Sequence, residues 1–143
     1  MVNGHAIANI IYPTSGNPVN LQNDAESKYA RESEPSIHIK NGTVVRVVDF
    51  APSLDSPIHR VVSLDYGIVI EGELEITLDS DESRIMRPGD VSVQRATMNK
   101  WRNCSKEKSA PAVFVLLDCE PFSVDGVEVK ENIGDLAGEY KEH

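Results

Sequence analysis

The stretch His59-Arg60-Val61-Val62-Ser63-Leu64-Asp65-Tyr66-Gly67, with Glu71-Gly72-Glu73 shortly after it, decides how this chain is read. Side chains alternate faces along an extended strand, so His59, Val61, Ser63 and Asp65 share one face while Arg60, Val62 and Leu64 take the other. A histidine and a carboxylate therefore look into the same space from a segment that is otherwise apolar. Gly72 ends the next apolar run, where polar residues mark a turn.

Working outward, the chain from residue 37 is a series of short apolar or alternating runs separated by turn residues, the spacing of an all-β sandwich or barrel. The predicted strands are 37–40, 43–50, 58–62, 66–70, 74–78, 83–86, 91–94, 99–102 and 112–118. Asn41-Gly42 suits a tight turn because both residues tolerate positive φ. Pro52 and Pro57 lack an amide donor and cannot sit centrally in a ladder. Residues 71–73, 79–82 and 87–90 are polar connections. Three regions result: an N-terminal arm (1–35) with a β-like stretch at 6–12 and a polar remainder, a barrel (36–120), and an acidic tail (121–143). No helix is expected in the middle of the chain, and a helix near 132–141 is opposed by Gly134 and Gly138.

A second alternating set lies downstream. Pro88-Gly89-Asp90 opens a strand, and Asn99, Trp101 and Asn103 share a face shortly after Arg95. Together the two sets resemble the motifs of the cupin superfamily, over residues 45–118. In the first motif His59 and Gly72 match, Val61 stands at the second histidine, and Asp65 stands where glutamate is usual. In the second, Gly89 and Asn103 match, Val93-Gln94-Arg95-Ala96 replaces a Pro-x-Gly turn, and Asn99 takes the place of the metal-binding histidine. The resemblance implies a jelly-roll β-barrel, frequent homodimers, and an Fe, Mn, Ni or Zn ion held by the motif histidines and carboxylate.

The metal motif is depleted. First-row metals want three imidazole or carboxylate donors with an open position, and only His59 and Asp65 remain, since a neutral amide at Asn99 is a weak ligand. The expectation is a pocket with no cofactor. The alternative is a divalent transition metal on His59, Asp65 and Asn99.

Without a metal, the residues suit proton transfer. His59 is expected to act as general acid or base with Asp65 fixing its tautomer, and Arg95 and Asn99 to stabilise developing negative charge. Trp101, Ser63, Val61 and Asn103 complete the expected substrate-binding set. The plainer readings are a His59–Asp65 pair that only rigidifies the barrel, a Trp101 that packs the core, and an Arg95 that faces solvent. Tyr66 should point outward, and His38 reads as a surface or edge residue.

The chain has 143 residues, a net charge of −9 and a pI near 4.8. Such a charge repels phosphate backbones and anionic membranes, so neither nucleic acid nor a membrane is an expected partner. The apolar runs are strand-sized, short of the roughly 20 residues of a membrane span. The N-terminus does not read as a signal peptide, and a cytoplasmic location is expected. Cys104 and Cys119 have no metal or redox spacing, and no disulfide is indicated. The functional expectation is a tailoring lyase or isomerase of secondary metabolism. It would decarboxylate, dehydrate or cyclise a polyketide-like or aromatic acid as a homodimer, the 6–12 stretch adding to a neighbour's sheet. The alternatives are a non-catalytic binding cupin and a metal-dependent oxygenase with a reduced ligand set.

Overall fold

The computed structural model describes residues 6–35 and 37–133. Two antiparallel sheets dominate it. The larger contains β1 (Ile7–Ser15), β2 (Gly42–Phe50), β3 (Ser63–Val69), β6 (Val91–Arg95) and β8 (Ala110–Asp118), in the order β1-β2-β8-β3-β6. The smaller contains β4 (Leu74–Leu78), β5 (Ser83–Met86) and β7 (Asn99–Asn103), in the order β5-β4-β7. A short hairpin follows, β9 (Ser123–Val124) with β10 (Val127–Glu128).

β-Branched residues make β2 a strong strand former, and its even-numbered positions Gly42, Val44 and Arg46 are buried. Register carries this inward face across the sheet. Val44, Leu116, Asp65 and Gln94 lie in one row, and Arg46, Phe114, Gly67 and Ser92 in the next. The smaller sheet supplies Leu74, Trp101 and Met86 to a core shared with Phe50, Val69, Ala110 and Ala112. Trp101 meets Phe114 edge-on at 5.2 Å between ring centres, and Phe50 lies 6.2 Å from both rings. Val69 and Leu74 are fully buried, each worth about 1.5–3 kcal/mol of burial.

Two glycines fit the turns and close approaches of this fold. Gly72 has φ +78°, turning the chain from β3 into β4. Gly42 lies so close to β1 that a Cβ there would stand 2.1 Å from the Thr14 carbonyl oxygen.

Several predicted elements differ from those observed. The N-terminal region is part of the main sheet, because β1 pairs along its length with β2 of the same chain. The polar stretch after it contains α1 (Ala25–Glu32), which sequence periodicity missed because the helix has no apolar stripe and buries no residue. Tyr12 on β1 donates a hydrogen bond to Glu26 of α1. Residues 37–40 form a turn rather than a strand. Residues 58–62 pair only at isolated bridges, His59 with Asn99 and Arg60 with Asn132, since Pro57 lacks the donor a ladder requires. The helix considered at 132–141 falls almost wholly outside the described residues. Among the described residues no helix is long and apolar enough to cross a membrane.

Candidate functional site

His59 and Asn99 exchange both backbone hydrogen bonds, each 2.9 Å, across the gap between the 58–62 segment and β7. Residues paired this way carry their side chains on the same face. That face is the interior, because Asn99 alternates with buried Trp101 and Asn103 along β7. The histidine and the amide thus stand side by side, next to the aromatic cluster.

The His59 ring is held by the chain itself. Its Nδ1 lies 2.9 Å from the Pro57 carbonyl oxygen, which can only accept, so Nδ1 carries the proton and Nε2 is the bare nitrogen. Among the described residues Nε2 has no hydrogen-bond partner. Burial pushes the imidazole below its usual pKa, against a smaller opposing effect of the Pro57 bond. His59 is accordingly a neutral base at pH 7.

Asp65 does not orient His59, contrary to the sequence expectation. It sits on the inward face of β3 and accepts a 2.5 Å hydrogen bond from Ser63 Oγ. Burial raises its pKa to about 6, outweighing the lowering effects of the Ser63 bond and the His38 charge. Pro57, through its carbonyl, has the fixing role that the sequence predicts for Asp65. A carbonyl two residues away along the backbone leaves no side-chain signal.

Asn99 also differs in role. Its Nδ2 donates to the Thr97 carbonyl at 2.9 Å and lies 3.5 Å from that of His59, while Oδ1 is buried with no partner. The unpartnered end of this amide is a buried acceptor and cannot stabilise negative charge.

The remaining expected residues divide. Val61 and Ser63 are buried at the interior, and Trp101 is a core residue packed with Phe50 and Phe114. Asn103 is saturated: its Nδ2 bonds the carbonyls of Phe50, Ala51 and Lys108, and its Oδ1 accepts from the Ser105 amide. It ties loops together and offers nothing to a ligand. Arg95 is exposed, paired in register with Leu64 on the outward parity of β3. The interior cation is Arg46, buried on β2 and donating to the Ile37 carbonyl at 2.8 Å. Alternation with Val44 and Val48 was the signal for it. Tyr66 points outward as expected. His38 lies in an open groove of about 1670 Å³ between the arm and the tail, 3.5 Å from Asp118 and 3.3 Å from Glu131. That groove does not include His59, Asp65 or Asn99.

Cupin-domain-containing oxidoreductase fogC of Aspergillus ruber is 51% identical over 138 residues, spanning 95% of this chain and 68% of the relative. This chain belongs to the cupin family. Cupin-domain-containing oxidoreductase virC of Hypocrea virens is 53% identical over 90% of this cupin and 68% of its own length. Oryzines biosynthesis cluster protein J of Aspergillus oryzae is 39% identical over 89% and 73%. No family model matches the chain. Among solved structures, an oxalate oxidase in complex with the substrate analogue glycolate superposes with a TM-score of 0.54 at 20% identity, over 82% of this cupin and 53% of that chain. An RmlC-like cupin protein from Desulfovibrio desulfuricans gives 0.52 at 13%, over 79% and 82%. These two share the fold.

The cupin metal positions can be tested against the side chains now in place. They hold one imidazole, a valine, a carboxyl that burial drives toward its neutral form, and an amide oxygen. Among the described residues no three His, Cys, Asp or Glu side chains converge as a metal site. This donor set does not fit tight binding of a first-row transition metal.

Proposed function

We propose that this cupin is a small-molecule tailoring enzyme that works by proton transfer at His59, a lyase or isomerase acting on an aromatic or polyketide-like acid. One observation carries the reading: the Nδ1 proton is fixed on the Pro57 carbonyl, which leaves Nε2 unprotonated on a ring borne by the residue paired with Asn99. Nε2 takes the proton from a substrate C–H or O–H, and the ring then holds it for return to the product. Arg46, rather than Arg95, supplies positive charge to the same interior, where a dry environment strengthens its effect on a developing anion. Two similar proteins named for oryzines and phomopsin biosynthesis clusters support a biosynthetic role.

A second reading takes the name of the relatives at 51% and 53% identity, an oxidoreductase. Mass spectrometry of the product separates the two. An isomer, or loss of water or carbon dioxide, supports proton-transfer chemistry; loss of two hydrogens or gain of oxygen supports oxidation. Activity that vanishes in chelator and returns with one metal ion removes the metal-free form of the first reading.

We further propose that the protein pairs with a second copy through the outward face of the larger sheet. Val91, Val93 and Tyr66 are exposed there, with Tyr66 opposite Val93, and exposed Ile70 follows just past the end of β3. A surface patch that meets its own copy about a two-fold axis is the commonest oligomeric arrangement. Light scattering that gives a monomer at all concentrations overturns this pairing.

A further inference from the structure

We propose that tail residues 129–132 are a strap that positions His59, pairing with the far edge of the 58–62 segment and anchored to the larger sheet through His38. The inference rests on His59 being the base of the site, and it assigns the placing of that ring to Glu131 and Asn132. Both act through His59 and are positioning residues.

Three observations meet in the strap. Successive residues of an extended segment turn their amide and carbonyl to opposite edges, so while His59 bonds Asn99 of β7, Arg60 must find its partner on the other side. The tail supplies that partner: the Arg60 amide donates to the Asn132 carbonyl at 2.6 Å, and the Asn132 amide donates to the Arg60 carbonyl at 2.9 Å. The smaller sheet thus continues past β7 by two further chain segments, with His59 in the inner one. Pro57 bars a longer ladder, so the start of this segment relies on the two bridges and on the 3.0 Å bond from Arg60 Nε to the Ala96 carbonyl. The strap is also fastened at both ends. The Val129 amide donates to the Phe122 carbonyl at 3.0 Å, at the base of the β9–β10 hairpin. Glu131 Oε1 lies 3.3 Å from His38 Nδ1, and His38 Nε2 lies 3.5 Å from Asp118 Oδ1 at the end of β8, where Asp118 in turn accepts from the Asn41 amide at 2.5 Å. A line of contacts therefore runs from β8 through His38 to the residue next to the Asn132 bridge. The His59 ring depends on that line because its Nδ1 is fixed by a carbonyl only two residues upstream, and fraying of the segment from the tail side releases it.

The test is native-state amide hydrogen exchange on the full chain, read by NMR together with the ring nitrogens of His59. In the unaltered protein the amides of His59, Arg60 and Asn132 should be protected together and share one dependence on low urea, the mark of a single local opening. Asn132→Pro removes the amide that bonds the Arg60 carbonyl, and Glu131→Gln removes the charge that faces His38. Asn132→Pro should speed exchange at His59 and Arg60 by at least about 10-fold and Glu131→Gln by about 2–3-fold, while the amides of β2 and β8 keep their rates. In Asn132→Pro the His59 ring nitrogens should also move toward a mixture of tautomers, a signature that a tail serving only stability would leave unchanged. Because the shared opening is measured on the unaltered protein, the result does not depend on either variant folding. An unprotected Asn132 amide beside a protected Arg60 amide overturns the strap. So does a His59 ring that ignores both substitutions, or an equal rise in exchange at every amide. The underlying reading fails separately. If the ring responds to the tail while His59→Ala retains turnover, the strap stands and proton transfer falls; if His59→Ala is inactive while the ring ignores the tail, the reverse holds.

Discussion

Replacing Asp65 with asparagine should stabilise the protein, and only at neutral to alkaline pH. Burial holds the carboxyl near a pKa of about 6, against an ordinary 3.8. The folded state therefore binds more protons than the unfolded state between those two values, and folding stability falls as pH rises through the window. The sign is opposite to that of a salt-bridged aspartate, whose folded pKa is depressed. Well below pH 3.8 the acid is neutral in both states and has no effect; well above about pH 6 it is charged in both and exerts its full cost. A gap of about two pH units, at 1.36 kcal/mol per unit, makes that cost about 3 kcal/mol. Asparagine retains an acceptor for the 2.5 Å bond from Ser63 Oγ and nearly the same shape, without the charge. Urea unfolding at a series of pH values, with the m-value checked for constancy, should show Asp65→Asn gaining about 2–3 kcal/mol at about pH 8 and almost nothing at about pH 3. A variant no more stable than the parent at the higher pH would refute the reasoning, since the carboxylate would then be solvated or paired. A gain that costs turnover would mark Asp65 as a group kept for chemistry at the expense of the fold, as buried titratable groups in functional pockets commonly are.

Three further outcomes follow from named contacts. His59→Ala should lower turnover by about 10²–10⁴-fold while leaving the thermal midpoint nearly unchanged, and the parent rate should persist to more acidic pH than an ordinary imidazole allows, because burial lowers the pKa of the base; a variant with normal turnover removes His59 from the chemistry. Asn103→Ala should destabilise by about 2–3 kcal/mol in urea, since it strands the buried carbonyls of Phe50 and Ala51 together; a loss below about 1 kcal/mol would mean that water replaces the amide. Gly67→Ala would set a Cβ 2.7 Å from Ser92 Oγ and 3.0 Å from Phe114 Cε1, and should cost about 1–3 kcal/mol by overpacking, read from the same unfolding curves.

How far the sequence discloses this molecule depends on which kind of information each residue needs. Parity along a strand is local, so the shared face of Ser63 and Asp65 and the burial of Asn99, Trp101 and Asn103 were legible from alternation alone. The identity of the atom an amide presents is not local. Asn99 was found by position, but its unpartnered oxygen depends on the Thr97 carbonyl, and the His59 tautomer depends on that of Pro57; neither carbonyl announces itself in a side chain. Helix α1 was missed because it lacks an apolar stripe, the only periodic signal available.

The misplacement of Arg95 has a more instructive cause. In β6 the usual pattern is inverted: Ser92 and buried Gln94 lie on the interior parity, while Val91 and Val93 are 57% and 59% exposed. A reader who sends the apolar residues of this strand inward assigns every face in it wrongly. The register settles the parity, because Gln94 lies opposite Asp65 and Val93 opposite Tyr66. Such an inversion is itself informative. Polar residues facing inward need an interior that provides hydrogen-bonding partners, and Gln94 shares its row with Asp65 and accepts at 2.9 Å from Thr97 Oγ1. The outward valines stay exposed in the single chain, and the pairing proposed above would cover them. A single strand with its two faces exchanged thus sets polar side chains inside and apolar ones outside. Substituting Val93 by lysine offers a direct check: it should leave turnover intact while dispersing any dimer, and a coupled loss of both would show that the two faces are not independent.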